Sequence, residues 1–130
     1  MRIVVIVLGL AGAVWFGVAA RSFSAQDRIG QLALADRTPT KADLAEAQSL
    51  VTRAQTLNPD VRVEQGIAVL QFRTGDPKGA TATFKRLTAK EPENSELWAL
   101  LARTARDVDP ALAQRASAKA RELSPPIPDE

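Results

Sequence analysis

The chain has 130 residues, 45% of them hydrophobic but only 5% aromatic, with 17 Lys and Arg against 15 Asp and Glu. Near-balanced charge and few aromatics argue against a nucleic-acid surface, which needs a concentrated basic face and stacking platforms. With no Cys, His or Tyr, thiolate and imidazole metal ligation, disulfides, thiol nucleophiles and histidine acid–base chemistry are excluded. The carboxylates, Ser and Lys that remain show no spacing of an activated group, so neither catalysis nor a cofactor is expected.

After Met1-Arg2, an unbroken apolar run extends from Ile3 to Ala20 and is closed by Arg21. As a helix it would be about 27 Å long, close to the ~30 Å hydrocarbon core of a bilayer. Residues 1–22 are therefore predicted to be a single-pass transmembrane anchor. The alternative is a secretory signal cleaved after Val18-Ala19-Ala20, although such apolar cores usually span only about 7–15 residues. Gly9, Ala13 and Gly17 have the small-residue spacing that lets two membrane helices approach closely, a route to a homo-oligomer; the general abundance of Gly and Ala in membrane helices is the plainer account. Arg2 favours an extracytoplasmic placement of the repeat region, while Arg21, Arg28 and Arg37 on the other flank favour the cytoplasmic side. The first orientation is preferred.

Ile29, Leu32 and Ala33 mark a first helix from about Ser24 to Asp36, continuous with the anchor unless Ser22-Phe23-Ser24 breaks it. Thr38-Pro39-Thr40 is a turn, since the residue before Pro is pushed out of the α region. From Lys41 to Leu57, the positions Leu44, Ala47, Leu50, Val51, Ala54 and Leu57 form one apolar face, ended by Asn58-Pro59. Val63, Ile67 and Leu70 predict a helix from Val61 to Thr74, closed by Gly75. Asp76 and Pro77 then suit the N-cap and first helical position of a helix to Lys90, with Ala80, Phe84 and Leu87 inward. Asn94 or Ser95 caps a helix carrying Leu97, Trp98, Leu100, Leu101 and Ala105, and Pro110 to Leu123 follows on an alanine face of Ala113, Ala116 and Ala120. Residues 125–130 form a Pro-rich tail that cannot continue the helix.

Four columns recur in steps of 33: Asp43, Asp76 and Asp109; Ala47, Ala80 and Ala113; Ala54, Leu87 and Ala120; Pro59, Pro92 and Pro125. A period in the low thirties signals a helical solenoid, so the expected fold is all-α, with three helix pairs near 23–59, 60–92 and 93–124 behind the anchor. Helix, turn, helix and Pro at this period resemble the tetratricopeptide repeat (TPR) family. Ala80 and Phe84 fall on its small and aromatic positions, Leu87 on its next small position and Pro92 on its terminal proline. Glu64, with Gly66 or Ala68, stands where the family's first helix usually carries Trp and Gly. No polar capping helix follows the third pair, so the last helix caps itself or docks onto something.

The resemblance implies binding of a protein or peptide along the concave face, through the first helix of each pair. It assigns Gln65, Val69, Phe72 and Arg73 to that groove. In the third pair a 33-residue step puts Trp98, Ala102 and Ala105 there, and a 34-residue step puts Ala99, Arg103 and Arg106; a Trp at such a position is more often a packing residue than a binding one. Arg62, Arg73, Arg103 and Arg106 form either a basic strip for acidic segments or a solvated charged face. The Lys/Asn clamp of chaperone-binding members is absent, since Gln65 and Val69 stand at those positions. The function expected is that of a membrane-tethered, non-catalytic adaptor, similar to small anchored bacterial proteins that assist assembly of envelope complexes. The alternative is a structural subunit associating through its membrane helix.

Overall fold

A computed structural model of the protein describes residues 23–55 and 61–124, with side chains throughout except at 52–55. Among these residues are six helices and no strand: α1 (23–34), α2 (Lys41–Gln55), α3 (Val61–Arg73), α4 (Pro77–Lys90), α5 (Ser95–Ala105) and α6 (Pro110–Leu123). Consecutive helices pack on one another from α2 to α6. The anchor expected over 1–22, with Gly9, Ala13 and Gly17, and the tail over 125–130 lie outside the described residues. Within them, no helix is long and apolar enough to cross a membrane. Phe23 and Ser24 are already helical, so the break expected over Ser22-Phe23-Ser24 falls on neither of those two, and Ser22 lies outside the described residues.

The core forms two joined clusters. Ala25, Ile29, Leu32 and Ala33 of α1 pack with Ala47 of α2 and with Val63 and Leu70 of α3. Ala68, Phe84 and Leu87 pack with Leu97 and Leu101 of α5 and Ala116 of α6. Val69 touches both clusters, so burial continues from one pair to the next as in a stacked repeat. Gly66 permits the close approach of α1 and α3: a Cβ there would lie 2.8 Å from Ile29 Cγ2. A small residue does belong in this helix, and it faces the preceding pair.

The turns explain why three copies of one pattern are not identical. In the middle pair Gly75 takes φ +90°. Its N–H donates to Phe72 O at 3.2 Å while that of Asp76 donates to Gln71 O at 2.8 Å, closing α3 in a Schellman motif. Asp76 then caps α4 by accepting from the Gly79 N–H at 2.9 Å, and Asp109 caps α6 by accepting from the Leu112 N–H at 2.9 Å. Asp43 sits three residues further into its helix. Here Thr40 is the cap, and the Thr40 N–H donates to Asp43 Oδ2 at 2.7 Å while the Asp43 N–H donates to Thr40 Oγ1 at 3.3 Å. This reciprocal capping box keeps the Asp column in step while changing its role.

The alanine face expected on α6 divides between two surfaces. Ala116 is fully buried toward the core, whereas Ala113 and Ala120 are only half-buried. At α5 the chain turns without Gly: the N–H groups of Val108 and Asp109 both donate to Ala105 O, at 3.1 and 2.8 Å.

Candidate partner-binding face

The first helices of the three pairs, α1, α3 and α5, present one continuous face. Its orientation follows from the apolar stripes behind it: Val63 and Leu70 in α3, and Leu97, Leu101 and Thr104 in α5, are buried. Residues offset from those stripes are left on the open side. Between α3 and α5 the Gln65 Nε2 amide donates to Glu96 Oε1 at 2.9 Å. One turn further along, the Arg103 guanidinium carbon lies 5.9 Å from the centroid of the Phe72 ring, within cation–π range. Between α1 and α3, Asp27, Gly30 and Arg62 line a cleft of about 280 Å³.

Ala99, Arg103 and Arg106 line an open cleft of about 490 Å³ between α5 and α6, together with Glu96, Ala102, Ser117 and Ala120. Ala105 is fully buried. Trp98 is corrected away from the groove: it packs on the cluster around Phe84 and Leu87, its indole N–H donates to Pro92 O at 2.8 Å, and it lines a cleft with residues of α4 and α6. The physical reason is helical phase. Leu97 and Leu101 fix the buried side of α5, and Trp98 follows directly on Leu97, on the flank facing α4 and α6.

Arg73 is corrected as well. Its guanidinium donates to the carbonyls of Ala33 at 2.7 Å, Ala35 at 2.8 Å and Arg37 at 2.8 Å. It caps the C-terminal end of α1, where orphan carbonyls and the helix dipole attract a cation. The four arginines expected as a strip therefore separate. Arg73 ties the first pair to the second, Arg62 lines the α1/α3 cleft, Arg103 covers Phe72, and Arg106 faces the open end beyond α6. Gln65, Val69 and Phe72 stand together on α3 opposite Glu96 and Arg103.

Glu96 and the α1 residues Asp27 and Gly30 are functional candidates that pattern reading missed. Carrying the 34-residue step through from Arg62 would have found Glu96, just as it carries Gln65, Val69 and Phe72 onto Ala99, Arg103 and Arg106.

Ion pairs away from this face hold it in shape. Glu64, at the position usually occupied by Trp, is reached by Lys90 Nζ at 2.8 Å and by the Arg86 guanidinium, both from α4. Burial opposes its ionisation, but Lys90 and Arg86 together outweigh that and hold its carboxyl below the ordinary value. Asp43 accepts two bonds from Arg37, at 2.6 and 2.8 Å. That pair, followed by the Thr40 N–H and hydroxyl, holds its carboxyl far below the usual range. Arg28 and Glu46 join α1 to α2 at 2.7 Å. Among the described residues no group of three or more candidate ligands is placed to hold a metal ion.

Residues 40–104, half of the chain, match the tetratricopeptide repeat family. No curated protein and no solved structure matches the chain. The match spans the second helix of the first pair, the whole second pair and nearly all of the first helix of the third, and so includes α3 and α5 of the face just described: the chain belongs to the tetratricopeptide repeat family.

Proposed function

We propose that this chain is a non-catalytic adaptor, tethered to a membrane by residues 3–20, that holds a segment of a protein partner against the α1/α3/α5 face during assembly of an envelope complex. Tetratricopeptide repeats generally bind protein partners, and family membership supports the adaptor role. One observation carries the assignment to this face: Gln65–Glu96 and Phe72–Arg103 align α3 and α5 side by side while leaving Val69 half-buried between them. An apolar floor with polar side chains along its edges suits an extended or helical segment better than a small molecule. Arg103 and Arg106 favour acidic side chains near the third pair, and Glu96 favours a cation or amide donor nearer the second.

The test places a photo-crosslinking residue at Val69 or, on the opposite side, at Lys85 of the full-length chain in its native membrane. Capture of the same partner from position 69 but not from 85, weakened at least tenfold by Arg103→Glu, is the expected result. Capture from position 69 that Arg103→Glu leaves unchanged would overturn the groove reading. Retention of the partner by residues 1–22 alone would favour association through the membrane helix.

A further inference from the structure

A second cleft, on the other side of α5, lies outside the groove reading. Trp98 and Leu101 of α5 and Leu112 of α6 make its apolar floor, around about 570 Å³ of space. Two side-chain donors beside that floor are already engaged. The Trp98 indole N–H donates to Pro92 O at 2.8 Å, and the Thr88 hydroxyl donates to Lys85 O at 3.0 Å. Lys85 reaches the cleft from α4, and Arg115 and Lys119 reach it from α6, while no carboxylate lines it. Lys119 is paired with Glu122 at 2.7 Å, whereas Lys85 and Arg115 have no ion-pair partner among the described residues. The helices that supply these cations share the bias. α4 carries Lys78, Lys85, Arg86 and Lys90 without a carboxylate, and α6 carries Arg115, Lys119 and Arg121 against Glu122 alone.

We propose that this cleft is a second docking site, for a segment of a protein partner in which acidic residues stand on both sides of one bulky apolar residue. The apolar side chain covers Trp98, Leu101 and Leu112, where burial of an aromatic surface supplies the anchor. α4 and α6 both pack on α5, so positive charge comes to the cleft from two different helices. An amphiphile with a single anionic head, such as a fatty acid, meets only one of them. A peptide with carboxylates before and after its apolar residue meets both, and the cations on the rim set which segments are accepted. The site shares no residue with the clefts of the α1/α3/α5 face and does not rest on the reading of that face. The segment held here is therefore a second one, and the chain bridges two partners from opposite sides.

The experiment uses the full chain in a neutral detergent with Trp15→Phe, so that Trp98 is the sole indole. The probe is the blocked peptide acetyl-Asp-Glu-Phe-Glu-Asp-amide, titrated against Trp98 emission. A saturable blue shift is expected, and none from acetyl-Lys-Lys-Phe-Lys-Lys-amide. Exchanging Phe for Ser in the acidic peptide is expected to weaken it about tenfold, through the lost apolar burial. Lys85→Glu with Arg115→Glu, both surface changes, is expected to weaken the acidic peptide about tenfold, as two exposed ion pairs become like-charge contacts. The same double change is expected to let the lysine peptide bind instead. No shift with the acidic peptide, or equal binding before and after the double change, would overturn the proposal. Octanoate binding as tightly as the acidic peptide would also overturn it, by showing that an apolar anion with one head suffices. So would a shift that appears without peptide as the chain is concentrated, since a second copy would then fill the cleft. Arg103→Glu separates this site from the groove. It is expected to leave peptide binding unchanged, and loss of binding with that change alone would place the peptide in the groove and overturn this site only.

Discussion

In the second helix pair Ala80, Phe84 and Leu87 are fully buried, with Phe84 and Leu87 packed against Leu97 and Leu101 of α5. Thirty-three residues on, the same columns read Ala113, Ser117 and Ala120. These remain partly exposed and line the open clefts at the end of α6 beside Arg106 and Arg121. The backbone repeats but the side chains that would receive another helix do not. Replacing an aromatic and a leucine by Ser and Ala leaves no knob for a further helix to pack around, and two arginines keep that surface wet. A stack of repeats needs polar ends to remain soluble, and the open face of α6 is more polar than the corresponding face of α4.

The largest expected effect tests that difference directly. Phe84→Ala should cost about 3–5 kcal/mol, the usual toll of truncating a fully buried aromatic side chain. Ser117→Ala, at the same column, should change stability by no more than about 0.5 kcal/mol. Chemical denaturation of both variants measures the contrast; equal losses would mean that the end of α6 is covered. The converse change, Ser117→Phe with Ala120→Leu, should rebuild a docking face and make the chain self-associate at concentrations where the unaltered protein does not, as read by sedimentation.

Next in size is a contrast between two arginines on the first helices. Arg73→Met should destabilise the protein by about 1–3 kcal/mol, because three carbonyls at the end of α1 lose a charged donor. Arg103→Met should leave the melting transition nearly unchanged and weaken partner capture instead. If Arg73→Met melted like the unaltered chain, water would be serving the end of α1 equally well.

These contrasts show what is legible from the residues and what is not. The helix pairs, their boundaries and the small, aromatic and proline columns of the middle pair follow from periodicity and turn chemistry, which are local. The groove depends on helical phase between pairs, and a difference of one residue decides it. The 33-residue columns belong to second helices, and carrying that step back onto α5 rotates Trp98 into the groove and Arg103 out of it. The phase of α5 is set by Leu97 and Leu101 meeting Phe84 and Leu87 of the preceding pair, a contact no local pattern contains. Arg73 escapes pattern reading for a similar reason. Its spacing fits the groove face, yet three carbonyls some 36 to 40 residues earlier in the chain lie within its reach. Which of the two claims a long, flexible cation is decided in three dimensions.

Two glycines sharpen the comparison of covered and open surfaces at smaller magnitude. Gly66→Ala gains up to ~1 kcal/mol of helix propensity but drives a methyl into the stiff, buried Ile29 side chain, an overpacking cost of about 1–3 kcal/mol. A net loss of roughly 1 kcal/mol is expected. Gly30→Ala meets no neighbour within 4 Å, so it should stabilise by about 0.5–1 kcal/mol. Thermal melts of both variants check the signs, and a stabilising Gly66→Ala would show that α1 can slide away from α3.

The smallest effect concerns the first pair, where the Asp column has moved from cap to capping box. The Asp43 carboxyl is held below its unfolded value, first by Arg37, so the unfolded chain takes up protons before the folded one does. Stability from this group is then fully present above the ordinary carboxylate range, near pH 4, and is lost as pH falls from there through the depressed folded value. Glu64, lowered by Lys90 and Arg86 against its own burial, acts in the same direction. Arg37 is 56% exposed, so salt should erode the Asp43 contribution. Asp43→Asn should flatten the acid limb of the stability–pH curve and make the remainder less salt-dependent. An acid limb unchanged by Asp43→Asn would mean that Arg37 and Thr40 pair with Asp43 equally well in the unfolded chain, and that the first pair gains nothing from having moved its aspartate.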